Sequence, residues 1–213
     1  MASRLMHLAV AETILARESI SDPARFRLGS ILPDARIDSA LRAAPHFQRR
    51  LPNGLITCGL KRYMELFGDR VLQDGLYLAY YLHLLQDMVY RRYMYALPFW
   101  DARIPENIRR LHSDYRKLNR YIIESRKLKN SIIAPADFSG EAITQMFDFD
   151  IEGFLHELQN DFELSQEGEY HVFTPQMAEE FIAIAAEVCI NELKALRNGL
   201  PIYDEEAMAW GRE

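Results

Sequence analysis

The chain has 213 residues, 49% hydrophobic and 26% charged, proportions of a globular protein long enough to bury a large core and short enough to be one domain. A formal charge of −6 and a pI near 5.6 give no basic footprint for nucleic acid, and the opening Met-Ala-Ser-Arg-Leu-Met-His lacks the pattern of a secretory leader. Two cysteines, Cys58 and Cys189, and no apolar run that crosses a bilayer comfortably point to a cytoplasmic protein with free thiols.

Residues 3–17 read as a first helix, with His7, Ala11 and Ile14 on an i, i+4, i+7 line toward the core. Ser21-Asp22-Pro23 starts a short helix over 22–28, since Ser or Asp caps free N–H groups and Pro is tolerated in the first turn. Gly29 favours a helix exit and Pro33 biases Leu32 away from helical angles, so 29–34 breaks the pattern. The span 35–54 is irregular, punctuated by Pro45, Pro52, Asn53 and Gly54. Helical character returns over 55–68 and again over 70–94, ending before Leu97-Pro98. Residues 105–127 form the next helix, with Pro105 at its start and Ile108, Leu111, Tyr115, Leu118 and Ile122 as its apolar stripe. The acidic stretch 139–163 reads as one or two helices, one carrying Ile151, Phe154, Leu155 and Leu158. Thr174-Pro175 opens a last long helix to 197, closed by Asn198-Gly199. Without repeats, linkers or strand signals, the expectation is an all-α, single-domain multi-helix bundle over 1–213.

The chemistry gathers around Gly75–Tyr90, almost wholly apolar but interrupted by His83 and Asp87, which four-residue spacing puts on one helix face. A helix apolar all round is buried, and an imidazole and a carboxylate there need hydrogen bonds or a metal. His7, on the core-facing line of the first helix, His46 after Pro45, and Asp34 after Pro33 are the groups placed to join them. Three imidazoles and two carboxylates suit Zn²⁺, with Fe²⁺ or Mn²⁺ as alternatives. Each also has a plain structural role open to it: a hydrogen-bonded core pair for His83 and Asp87, a turn for Asp34, a loop for His46. His112, His156 and His171 lie in charged or loop-like surroundings.

The ordered series of His7 in Met-His-Leu-Ala-Val-Ala, Gly29-Ser30-Ile31-Leu32-Pro33-Asp34, His46-Phe47, and Tyr81-Leu82-His83-Leu84-Leu85-Gln86-Asp87 resembles the zinc-dependent phospholipase C family. The likeness covers about residues 1–95 and is closest to its short cytoplasmic bacterial members, described as hydrolases. It implies a helical fold of the phospholipase C/P1 nuclease type and a metal site built from His7, Asp34, His46, His83 and Asp87. The secreted members hold three zinc ions, using a processed amino terminus and further histidines. This chain has Tyr93 and other non-ligands where the next His is sought, with His112 and Asp114 as a stand-in, so one metal or at most two is expected.

Such a site implies hydrolysis of a small-molecule or lipid-like phosphoester, or a related ester, by a water whose pKa the metal lowers. His46, His83 and Asp87 form its core, His7 reaches in from the first helix, and Asp34 either ligates the metal or takes the proton from the attacking water. Arg36, Arg49, Arg91 and Arg92 flank these residues as cations for a phosphoryl group, although Arg91-Arg92 also suits a solvated helix end. Tyr80, Tyr81 and Tyr90 supply phenolic donors or core packing. The acidic residues Asp148, Asp150, Glu152 and Asp161 read as a solvated helix face. The rival is a non-catalytic scaffold in which the ion is structural. An HD-type phosphohydrolase ranks last because the adjacent His-Asp dipeptide is absent.

Overall fold

A computed structural model describes residues 2–35, 43–200 and 203–211. Its helices are α1 (Arg4–Arg17), α2 (Pro23–Gly29), α3 (Leu60–Val71), α4 (Gly75–Tyr95), α5 (Pro105–Arg126), α6 (Ile151–Glu163) and α7 (Pro175–Arg197). Strands β1 (Gln48–Arg50) and β2 (Ile56–Cys58) form a small antiparallel hairpin between α2 and α3. The described chain is therefore mostly helical, as its periodicity predicts.

Helix α4 is the axis, buried at every position from Gly75 to Tyr90, as its lack of a polar face requires. It packs against α2, α3, α7 and, more lightly, α1. Caps set its neighbours' starts: the side chains of Ser3, Asp22 and Thr174 accept backbone N–H bonds from Met6, Arg25 and Met177. Asp74 caps α4 by accepting from Leu76 N and also takes both forks of Arg25, at 2.8 and 2.6 Å. That pair, extended from Arg25 to the buried Glu141 at 2.7 Å, fastens the start of α2 to the start of α4.

Glycine makes the same junction close. An ideal Cβ on Gly29 falls 2.2 Å from Leu76 O, and one on Gly75 falls 2.6 Å from Asp22 O, so the two backbones touch where a side chain has no room. The role of Gly29 is thus close approach as much as helix exit. Beyond it, Leu32–Asp34 makes one 3₁₀ turn that carries Asp34 back toward α4.

The expected helix over 55–68 needs correction, while the acidic stretch carries one helix as expected. The third helix starts at Leu60 rather than 55, because Ile56–Cys58 pairs with Gln48–Arg50 and, through Ile56, with Trp210 near the chain's end. Strands of three residues are too short to show an alternating pattern, which is why the hairpin escapes the sequence reading. The acidic stretch holds two 3₁₀ turns, Phe138–Gly140 and Ala142–Gln145, and one helix, α6, capped by Asp150. Cys58 and Cys189 are buried and unbridged. No helix among the described residues is long and apolar enough to cross a membrane.

Candidate metal centre

His7, Asp34, His46, His83 and Asp87 converge from four separate segments. His7 comes from the buried side of α1, Asp34 from the 3₁₀ turn, His46 from the turn before β1, and His83 and Asp87 from successive turns of α4. The turn bearing His46 is pinned to α4 by the Tyr80 hydroxyl, which donates to Pro45 O at 2.6 Å. Phe47 then takes a left-handed backbone, φ 51°, that turns the chain into β1.

Two outer hydrogen bonds set the ring tautomers. Ser30 O, an acceptor only, lies 2.8 Å from His83 Nδ1, so that nitrogen carries the proton and Nε2 presents its lone pair. His7 Nδ1 lies 2.9 Å from Gln86 Oε1, leaving Nε2 facing inward in the same way. This arrangement, an imidazole oriented by a partner on its far nitrogen, is how metal-ligating histidines are held.

The inward atoms crowd together without satisfying one another. His83 Nε2 and His46 Nε2 are 3.3 Å apart. His46 Nε2 lies 3.3 Å from Asp34 Oδ1 and 3.6 Å from Asp87 Oδ2, while His7 Nε2 lies 3.5 Å from Asp87 Oδ1. Asp87 thus turns one oxygen to each side, and its Oδ1 also accepts from Ala2 N at 3.3 Å. His7 Nε2, Asp34 Oδ1 and Asp87 Oδ2 are buried with no aligned hydrogen-bond partner. Orphaned buried acceptors are costly, a few kcal/mol each on the order of general experience, and native structures rarely keep them. A cation could satisfy them together. His7, His83 and Asp87 form one group able to hold a metal ion, and Asp34, His46 and His83 form a second, all their ligand atoms lying within 4.8 Å of one another inside each group.

The electrostatics keep the cluster in its ligating form. Burial, followed by the neighbouring His7, pushes His83 down to about 3, so its ring is neutral across the physiological range. Burial raises Asp34, but the adjoining imidazole of His46 outweighs it and holds the carboxyl well below its usual range. Asp87 is likewise held below its usual range against its burial, the hydrogen-bonding contact with His7 among the causes.

Compared with protein-family models, with curated proteins and with solved structures, the chain matches none. The donor set itself carries the assignment of a possible metal centre.

Four of the five residues are sealed: His7, His46 and His83 have no exposed side-chain surface and Asp87 has 1%. Asp34 is the exception, 10% exposed, and it lines a cleft of about 720 Å³. Its apolar lining includes Met94, Trp100, Ile108, Leu111 and Phe154. Arg4, Arg91, Tyr90, Tyr115 and Asp161 line the same cleft, Arg4 lying over the Phe154 ring at 5.4 Å.

Other candidates separate. Tyr90 lines the cleft, its hydroxyl hydrogen-bonded to that of Tyr115. Tyr81 donates to the buried Glu192 at 2.7 Å and stays in the core. Arg49 pairs with Glu205 and Glu206, away from the cluster, and Arg36 lies outside the described residues. His112 lines the cleft, stacked on Tyr115, whereas its neighbour Asp114 is buried and accepts backbone N–H bonds from His171, Val172 and Phe173. They do not form a shared site. His156 and His171 are exposed. Asp161 is not merely a solvated residue: it accepts from Arg4 at 2.7 Å and forms part of the cleft wall. Arg4 has no local motif to mark it, because its partners Glu157 and Asp161 lie more than 150 positions away.

Gln86→Leu tests the outer bond to His7. The substitution removes the acceptor from His7 Nδ1, and metal affinity should fall about 10- to 100-fold with the helical fold retained. A competition titration with a chromophoric chelator reads it, and unchanged affinity would remove His7 from the site.

Proposed function

We propose that the chain is a metal-dependent hydrolase of a phosphoester, related in design to the phospholipase C/P1 nuclease type, with zinc as its ion and iron or manganese as alternatives. The observation that supports it most strongly is the set of orphaned inward atoms on His7, Asp34 and Asp87 beside a cleft that Asp34 lines. Three imidazoles and two carboxylates favour a borderline ion, and hydrolysis needs no redox change, which favours zinc. A bound ion would supply Lewis acidity and bring the pKa of a coordinated water toward neutrality.

The chain's own residues do the rest. His83, tied through Nδ1 to Ser30, offers a single nitrogen. Asp87 offers one oxygen to the His7 side and one to the His46 side, so the cluster suits one ion or two. Asp34 reaches the cleft, either as a ligand at the open edge or as the acceptor of a proton from the attacking water. A cleft of this volume, about 720 Å³, is in the range of small-molecule sites, and its apolar lining residues suit the organic group of the ester. A purely structural ion calls for a closed shell, and the exposure of Asp34 argues against one.

The test is turnover. Metal-free protein is reconstituted with Zn²⁺, Mn²⁺ or Fe²⁺ and assayed on model phosphomonoesters and phosphodiesters. Turnover restored by one of these ions and abolished by a chelator is expected; no metal-dependent turnover on any ester gives way to the scaffold reading.

A further inference from the structure

Arg91 sits one helical turn after Asp87 on α4, so the two side chains share one face of the helix. The residue is half-buried and lines the same cleft as Asp34. Its Nε is buried and has no hydrogen-bond partner. Among the described residues it makes no ion pair either: Asp87 is engaged with Ala2, His7 and His46, not with Arg91. The guanidinium lies 5.9 Å from the ring centroid of Trp210, an aromatic contact that orients it without neutralising it.

Its neighbours show how unusual this is. Arg4, in the same cleft, is balanced by Glu157 and Asp161. Arg92, the next residue, is exposed and hydrogen-bonded to Ala207 O, as a solvated helix end should be. Arg116 is exposed at the cleft's lining. A guanidinium is always charged and presents five donors in a planar fork, so one that lines a cleft with no ion pair among the described residues suits an anionic acceptor from outside.

We infer that Arg91 is a substrate-binding residue that holds a non-bridging oxygen of a phosphoryl group, with the group's other oxygens toward the metal cluster. The inference rests on the hydrolase reading for the identity of the substrate, and it narrows that substrate to esters whose reacting group is itself anionic. A neutral carboxylic ester has nothing to offer Arg91. Tyr90 and Tyr115, whose phenols are hydrogen-bonded to each other, form the polar wall beside it.

Inorganic phosphate is the probe, titrated calorimetrically into wild type, Arg91→Met, Arg91→Lys and the exposed control Arg92→Ala, each with and without Zn²⁺ and with metal content measured. Phosphate binding should weaken about 10- to 100-fold in Arg91→Met, recover in part in Arg91→Lys and stay unchanged in Arg92→Ala, with metal content equal throughout. In kinetics on a phosphoester, Arg91→Met should raise KM, while any turnover of a neutral carboxylic ester stays the same. Wild-type affinity in Arg91→Met or Arg91→Lys at full metal content, or no phosphate binding by wild type at millimolar concentration, overturns the assignment. Should Arg91→Met fail to fold, Arg91→Lys decides, since losing the fork alone must still weaken phosphate. Arg91-dependent phosphate binding without any phosphoester turnover would keep the anion site and discard the hydrolase; turnover indifferent to Arg91 would do the reverse.

Discussion

His83→Ala is expected to lose the metal and, with it, at least about 10³-fold of phosphoester turnover, because the ion is asked to supply several kcal/mol of transition-state stabilisation and each 1.36 kcal/mol is a factor of ten. His83 is the residue for this test because it belongs to both groups that can hold an ion, so neither survives its removal. The substitution also leaves Ser30 O without its buried donor and opens space in the core, a cost of about 2–4 kcal/mol that has nothing to do with metal. The two effects separate in thermal unfolding. Ligand that binds only the folded state adds stability by mass action, so a chelator should lower the wild-type Tm and leave that of His83→Ala unmoved. A variant that keeps its metal, or a wild type indifferent to chelator, contradicts the assignment of His83.

Gly29→Ala is expected to cost about 3 kcal/mol, the upper end of what overpacking does, although alanine is the better helix former. The added Cβ would meet Leu76 O at 2.2 Å, Leu76 C at 2.8 Å and Leu76 Cα at 2.9 Å, all backbone atoms that cannot swing aside. Helix α2 must therefore back away from α4, taking with it Ser30, which orients His83, and the turn that carries Asp34. Metal affinity should fall even though no ligand has been changed. Gly140→Ala is the control, since nothing lies within 4 Å of its Cβ, and it should stay within about 0.5 kcal/mol of wild type. Chemical denaturation of both variants reads the difference, and a Gly29→Ala protein as stable as wild type would mean that the two helices are not in backbone contact.

The helical frame is legible in the sequence wherever caps and periodicity agree. Ser3, Asp22 and Thr174 stand where their side chains accept the first free N–H groups, and α4 is buried all round because it has no polar face. The hairpin is not legible, since three-residue strands set among Pro52, Asn53 and Gly54 look like loop. Of the five clustered residues, His83 and Asp87 stand out as polar groups in a helix apolar all round, whereas Asp34 and His46, each after a proline in a loop-like segment, gain their meaning from the fold that brings them together. Their second layer does not stand out: that Ser30 O and Gln86 Oε1 orient His83 and His7 depends on packing of α4 against α1 and α2. The cleft walls are invisible for the same reason, Arg4 meeting Asp161 across 157 positions. In the sequence Arg91 and Arg92 are alike, candidate cations for a phosphoryl group or a solvated helix end, and only the fold separates them by burying the Arg91 Nε and placing the residue in the cleft lining.

The central claim is that these five residues form a metal centre, and metal content tests it most directly. Protein purified without added metal is assayed by elemental mass spectrometry, wild type alongside His83→Ala and Asp87→Ala. The account predicts at least about one equivalent of a divalent ion per wild-type chain, or its uptake at micromolar concentration, and near-complete loss in both variants. A folded wild type that carries no metal and binds none at micromolar concentration would contradict it.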